Sequence, residues 1–223
     1  MLAASLINPM IPVLKPTDSV GTALDWMDEF GVKQLVIADS GIYQGIVSED
    51  ILFDMPDISE QLSKVIIQHK DIFASEDQHP YELLRLVNQF ALLVIPVLHD
   101  DRTFAGSILV NDLIEHFVNE LGVQEKGAVI VLKIAERSYS LSEISRLIES
   151  NGTKILSSYY SSGEVYDPAN EARLTLKLNR THITPIIATL ERFGYQIEEA
   201  HANDPVESLD QERLDMLLRY LAT

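Results

Sequence analysis

The chain has 223 residues, 46% of them apolar, and 34 acidic against 17 basic side chains give a formal charge of −17. The length points to two compact units of roughly 100–120 residues each, and so acidic a surface repels phosphate backbones and anionic lipid, which argues against nucleic-acid binding and membrane attachment. Without a single cysteine there are no disulfides, thiolate metal sites or cysteine nucleophiles.

Residues 1–15 mix apolar side chains with Pro9 and Pro12 and read as an extended lead-in. They carry no basic residue before Lys15 and no long apolar core, so no secretory signal is expected. No window approaches the ~18 apolar residues of a spanning helix, and the expectation is a soluble cytoplasmic protein. Thr17 or Asp18 can cap a helix carrying Val20, Leu24, Met27 and Phe30 on one face and ending near Gly31. Strands are predicted over 33–38 and 42–47 around the turn Asp39-Ser40-Gly41, then a helix from Ser48 with Ile51 and Leu52. Asp54-Met55-Pro56-Asp57 breaks it, and 58–64 forms a further short helix. A short strand at Asp71-Ile72-Phe73 follows, with Glu76 or Asp77 capping a helix over 80–90. The run 91–98 is continuously apolar, a strand buried on both faces. Strand 104–109 and helix 110–120 complete the series.

Residues 121–127 read as a linker, after which the pattern changes. A strand over 128–134 leads to a helix over 140–150 with Leu141, Ile144, Leu147 and Ile148 at helical spacing, ended by Asn151-Gly152. A strand over 154–161 and a turn over 163–170 precede 171–178, where Leu174, Leu176 and Leu178 alternate with Thr175 and Lys177. Thr181 can cap a helix bearing Ile183, Ile186, Ile187, Leu190 and Phe193, with Pro185 tolerated in its first turn, and Gly194 ends it. A strand over 195–201 closes a β-α-β-β-α-β order, the ferredoxin-like split arrangement with two helices on one face of an antiparallel sheet. A last helix over 206–221 carries Leu214, Leu217, Leu218 and Leu221 on one stripe that needs a docking surface.

The first half of the chain is a duplication. Leu24, Trp26, Met27, Val32, Leu35–Ala38 and Gly45–Ser48 recur sixty to sixty-one residues later as Leu84, Leu86, Val87, Leu92, Pro96–His99 and Gly106–Leu109. Half-motifs of this kind bury their open sheet faces against a copy of themselves, so the two copies are expected to close around a shared crevice. Pro96-Val97-Leu98, ten residues before Gly106 and followed by a helix, makes the pair resemble tandem CBS domains: repeat 1 over 1–62 and repeat 2 over 63–121. Residues 128–203 look like an ACT domain, and the combination is similar to the bacterial acetoin-utilisation regulatory (CBS–ACT) family. The implied fold class is α/β plus α+β.

The resemblance implies an adenine nucleotide (AMP or ATP) or S-adenosylmethionine in the cleft between the copies. The family motif is Gly, two apolar residues, Ser or Thr, two residues, then Asp. Its hydroxyl meets phosphate at a helix start, and its Asp meets ribose. Here the first copy has Gly45 and Ser48, but Ile51 stands at the Asp position and Asp50 falls one residue early, turned by about 100° on a helix. The second has Gly106 and Asp112 at the right spacing, but Leu109 at the hydroxyl position. Ser48, Asp50, Asp112 and Pro96 are the candidate ligand residues. The other reading of Ser48 is an ordinary N-cap, and of Asp112 a solvated carboxylate. ACT domains commonly place glycine in the first strand-to-helix loop, where backbone meets ligand. Tyr139 stands there instead, which points to pairing rather than binding in this copy.

No Gly-x-Ser-x-Gly, His-Glu-x-x-His, P-loop or Gly-x-Gly-x-x-Gly pattern occurs. His99-Asp100-Asp101 is the one acidic–histidine cluster and reads as a solvated turn or, less simply, a weak metal contact. Trp26 is a core or subunit-contact residue. The sequence thus leads to a non-enzymatic regulatory sensor, a homodimer with an unidentified regulatory target. The competing reading is a ligand-free homodimeric scaffold with degenerate pockets.

Overall fold

The computed structural model describes residues 2–135, 139–162 and 172–202. The chain divides into two compact units, Met1–His116 and Phe117–Thr223. The predicted turn over 163–170, helix over 206–221 and most of the loop before Tyr139 lie outside the described residues.

The duplication occupies the first unit, its last helix crossing the boundary at His116. Copy one runs through a 3₁₀ turn (Ala3–Leu6), helix α1 (Val20–Phe30), strands β1 (Gln34–Asp39) and β2 (Ile42–Ser48), and helix α2 (Glu49–Phe53). Copy two runs through a 3₁₀ turn (Leu62–Lys64), β3 (Ala74–Ser75), α3 (Pro80–Phe90), β4 (Val94–Leu98), β5 (Phe104–Leu109) and α4 (Val110–Glu120). The correspondence extends to irregularities. Both antiparallel hairpins are bulged at matching places, between Ile37 and Ala38 and between Val97 and Leu98. Both first helices end on a left-handed residue, Gly31 and Ala91. β3 pairs parallel with β4, Ala74 opposite Val97, while the matching pairing in copy one is a single bridge of Leu14 to Ile37.

Several ends differ from the sequence expectation, each because a side chain is used elsewhere. The cap of α1 is Ser19, whose Oγ accepts the Thr22 N–H at 3.1 Å, rather than Thr17 or Asp18. Asp18 is taken by its own turn, its Oδ2 accepting the Lys15 N–H at 2.7 Å. Likewise Glu76 and Asp77 do not cap α3, because Pro80 sets the helix start and His79 Nδ1 accepts the Tyr81 N–H. The short strand falls at 74–75, not 71–73, since Ile72 closes a turn onto His69, itself at φ 54°. The apolar run 91–98 is strand only from Val94, because Ala91 serves as the helix cap. In 58–64 only Leu62–Lys64 forms a helical turn, Ser59 being bound to Asp57.

The second unit is a four-stranded antiparallel sheet of β6 (Ala128–Ile134), β7 (Ile155–Ser161), β8 (Ala172–Leu178) and β9 (Gln196–His201), in the order β7-β8-β6-β9. Helices α5 (Leu141–Glu149) and α6 (Thr184–Arg192) pack on one face, burying Ile130, Leu132, Leu174, Leu176, Ile144, Ile148, Ile186 and Leu190. This is the ferredoxin-like order that alternation in β8 implied. Two details differ. The N-cap of α6 is Ile183, not Thr181. Phe193 is 48% exposed rather than core, because it ends the helix where Gly194 turns at φ 87°.

Candidate site in the paired module

Two consecutive copies of a βαββα unit do more than pack together here; each supplies a piece of the other. The Ile46 N–H donates to Gln68 O and the Gln68 N–H to Ile46 O, both at 2.8 Å. One copy later the Asn8 N–H donates to Ser107 O, also at 2.8 Å. The segment leading into copy two thus lies along β2 of copy one, and the chain's own N-terminal segment lies along β5 of copy two. The motif glycines make room for this. A Cβ on Gly45, at φ +135°, would sit 2.4 Å from Ile67 Cγ2 and 2.5 Å from Gln68 O; on Gly106, at φ +157°, it would sit 2.4 Å from Ile7 Cγ2. Ile42 and Thr103, repeat-equivalent residues, bridge each other directly, so the pseudo-twofold axis passes between β2 and β5.

The candidate residues fall around these cradles unevenly. Ser48 occupies the N-cap position of α2 with extended backbone, yet its hydroxyl accepts no helix N–H. The ordinary-cap reading therefore fails for its side chain. Asp50 is exposed in the first turn of the same helix. Asp112 is in the first turn of α4, and its Oδ2 accepts from Asn8 Nδ2 at 2.9 Å, so it is not merely solvated. Pro96 is buried in β4 directly opposite Ser107. The structure brings Asp112 to Asn8 and Pro96 to Ser107; among the described residues no hydrogen bond or ion pair joins Ser48 or Asp50 to either.

Two participants were not legible beforehand. Ser107 is 2% exposed and its Oγ has no hydrogen-bond partner among the described residues. A buried hydroxyl without a partner costs on the order of 1–3 kcal/mol, so its position invites a donor or acceptor from outside the chain. Its signal was a polar residue where the motif calls for an apolar one. Asn8 had none, because only the exchange of segments brings residue 8 to residue 112. Trp26 is half-buried against the core of copy one, with Met27, Leu35 and Leu52.

His99 and the aspartates beside it form a self-contained turn. His99 Nδ1–H donates to Glu76 Oε2 at 2.8 Å, and Asp101 Oδ1 accepts both the Thr103 hydroxyl (2.6 Å) and its N–H (2.9 Å). The Thr103 hydroxyl and N–H hold the Asp101 carboxyl below the usual carboxylate range. Among the described residues no group of three or more His, Cys, Asp or Glu side chains is arranged to hold a metal ion.

In the second unit a cavity of about 480 Å³ lies between the end of β6, α5 and the start of β9, lined by Lys133, Glu143, Tyr195 and Gln196. The Tyr195 hydroxyl donates to Glu143 Oε2 at 2.9 Å. Its pKa is pushed up to about 12, first by burial and then by the Glu143 carboxylate. Tyr139 is 43% exposed and meets Tyr160 edge-on, ring centroids 5.1 Å apart.

The first unit is thus a mixed α/β pair of repeats, the second a ferredoxin-like domain. No family model matches the chain. Among solved structures, it is similar to a CBS domain pair/ACT domain protein of Thermotoga maritima at 20% identity, over 54% of this chain and 99% of that one, with a TM-score of 0.49. The CBS domains of a Streptococcus pneumoniae transcriptional regulator align at 17% identity over 52% and 98% (TM-score 0.47). CBSX2 in complex with AMP aligns at 17% over 53% and 96% (TM-score 0.45); that protein is from Arabidopsis thaliana. Similarity this distant assigns neither ligand nor role. Among the described residues no helix is long and apolar enough to cross a membrane.

Proposed function

We propose that the chain is a non-enzymatic regulatory protein whose paired module senses an adenine nucleotide, AMP or ATP, or a related small effector such as S-adenosylmethionine, and passes its occupancy to a dimeric ACT-like domain. The observation that carries this reading is the reciprocal exchange of segments between the copies. A ligand that takes Asp112 Oδ2 competes with Asn8, and Asn8 belongs to the segment lying along β5. Occupancy of the second cradle is in this way coupled to the position of residues 2–8, the two-state element that a population shift requires. The orphaned Ser107 hydroxyl next to Gly106 supports the same cradle. Resemblance to the acetoin-utilisation family, a homodimer in the cytoplasm and an unidentified regulatory target belong to this proposal.

Calorimetric titration of the full chain with AMP, ATP and S-adenosylmethionine tests it. Saturable heat that Asp112→Ala reduces at least tenfold is the expected result, and flat heats at millimolar concentration with all three defeat it. A second reading, a ligand-free scaffold, is favoured by Leu109 at the hydroxyl position and by the bond that already satisfies Asp112. Under that reading all titrations are flat while light scattering still shows a dimer.

A further inference from the structure

The acidity of this chain is not evenly spread. Residues 1–120 carry 19 Asp and Glu against 6 Lys and Arg, whereas residues 121–202 carry 10 against 9. Within the second unit, Lys126, Arg180 and His182 share one concavity of about 360 Å³ with Asn179 and Thr181, and among the described residues no carboxylate lines it. It lies where the chain enters β6 and leaves β8, and the Tyr195–Glu143 cavity, at the opposite ends of β6 and β9, shares none of its residues. Lys33, Lys64 and Arg173 pair with Glu49, Glu60 and Glu198. Lys126, Arg180 and His182 form no ion pair among the described residues, and they bring two cationic side chains and an imidazole into one hollow of a chain whose acids outnumber its bases two to one.

The backbone adds donors. Of the residues lining the hollow, Thr181 and His182 have main-chain N–H groups that meet no acceptor among the described residues, and helix α6, which follows, has no side-chain cap. Unfilled N–H groups at a helix start favour negative charge. The exposed Arg180 guanidinium lies beside Gly152, where an added Cβ would sit 3.4 Å from its Nη2. Asn179, whose Oδ1 accepts the Lys154 N–H at 2.7 Å while its own N–H donates to Lys154 O at 3.1 Å, pins the loop to β7. A guanidinium fork, an ammonium and an imidazole beside two free N–H groups are a donor set that phosphate oxygens fill.

We propose that this concavity binds a small phosphate-bearing anion. The site is separate from the paired module and stands whether or not that module takes a nucleotide. Inorganic pyrophosphate is the probe, because it carries neither adenine nor ribose. Titrated into the full chain in low-chloride buffer and followed by calorimetry and phosphorus NMR, it is expected to bind saturably in the millimolar range or tighter. Arg180→Ala and the exposed Lys126→Glu should each weaken binding at least tenfold, with circular dichroism reporting that the fold is kept. Lys64→Ala, a cation paired elsewhere, should change nothing. Absence of saturable binding at millimolar pyrophosphate overturns the proposal, and so does binding that survives both Arg180→Ala and Lys126→Glu unchanged.

Discussion

At Gly45 and Gly106 the same motif position meets different obstacles, and the difference can be measured. A Cβ at Gly45 collides with a main-chain oxygen, Gln68 O, as well as a side chain, whereas at Gly106 it meets only Ile7. Side chains yield more readily than backbone, so Gly45→Ala should destabilise the chain more than Gly106→Ala, each by about 1–3 kcal/mol in chemical denaturation. Charged residues at this scale offer a second test. Glu198 accepts two hydrogen bonds from Arg173, at 2.6 and 3.1 Å, and these hold its carboxyl below the usual range. A lowered carboxyl pKa stabilises the folded chain above the unfolded-state value and loses that contribution as pH falls through the folded one. Carbon-detected NMR should place the Glu198 midpoint under the ordinary value near 4.3, and Arg173→Ala should raise it.

Elements carry the next set of energies. Helix α1 starts on a hydroxyl cap, and Ser19→Ala removes the acceptor of the Thr22 N–H. The expected loss is about 1 kcal/mol, read from denaturant midpoints, with no change in m-value. In β8 the alternation that identified a half-buried strand is also its stability. Leu176 is fully buried between β6, β7 and the two helices' core, so Leu176→Ala should cost about 2–5 kcal/mol. Thr175, its neighbour on the open face, should tolerate alanine far better.

For the whole molecule, the exchanged segments predict coupling between places far apart in sequence. Deleting residues 2–8 removes the buried Ala3, the Asn8 bonds and the Ile7 side chain that forbids a Cβ at Gly106. The truncated chain should melt at a lower temperature in calorimetry, yet in it Gly106→Ala should cost much less than in the full chain. Gly45→Ala should keep its full cost, because Ile67 and Gln68 remain. Equal penalties for Gly106→Ala in both backgrounds would remove the exchange as an account of the glycine. Such non-additivity is what contacting partners produce and independent sites do not.

Periodicity and spacing alone were enough to reveal the duplication, the boundaries of α3, α4, β5 and β6, and the ferredoxin-like order of the second unit, because each rests on local chemistry repeated along the chain. Alternation in 172–178 marks one buried face, and Gly31, Asn151-Gly152 and Pro80 punctuate helices wherever they stand. The caps were harder. Ser19 won over Asp18, and His79 over Glu76, because the competing carboxylates were engaged by turns and by a histidine from another strand. What surrounds Asp112 and Gly106 depended entirely on tertiary structure. Residues 7 and 8 reach them only because each copy lends its leading segment to the other, and a contact spanning 104 positions leaves no periodic trace in the chain that makes it.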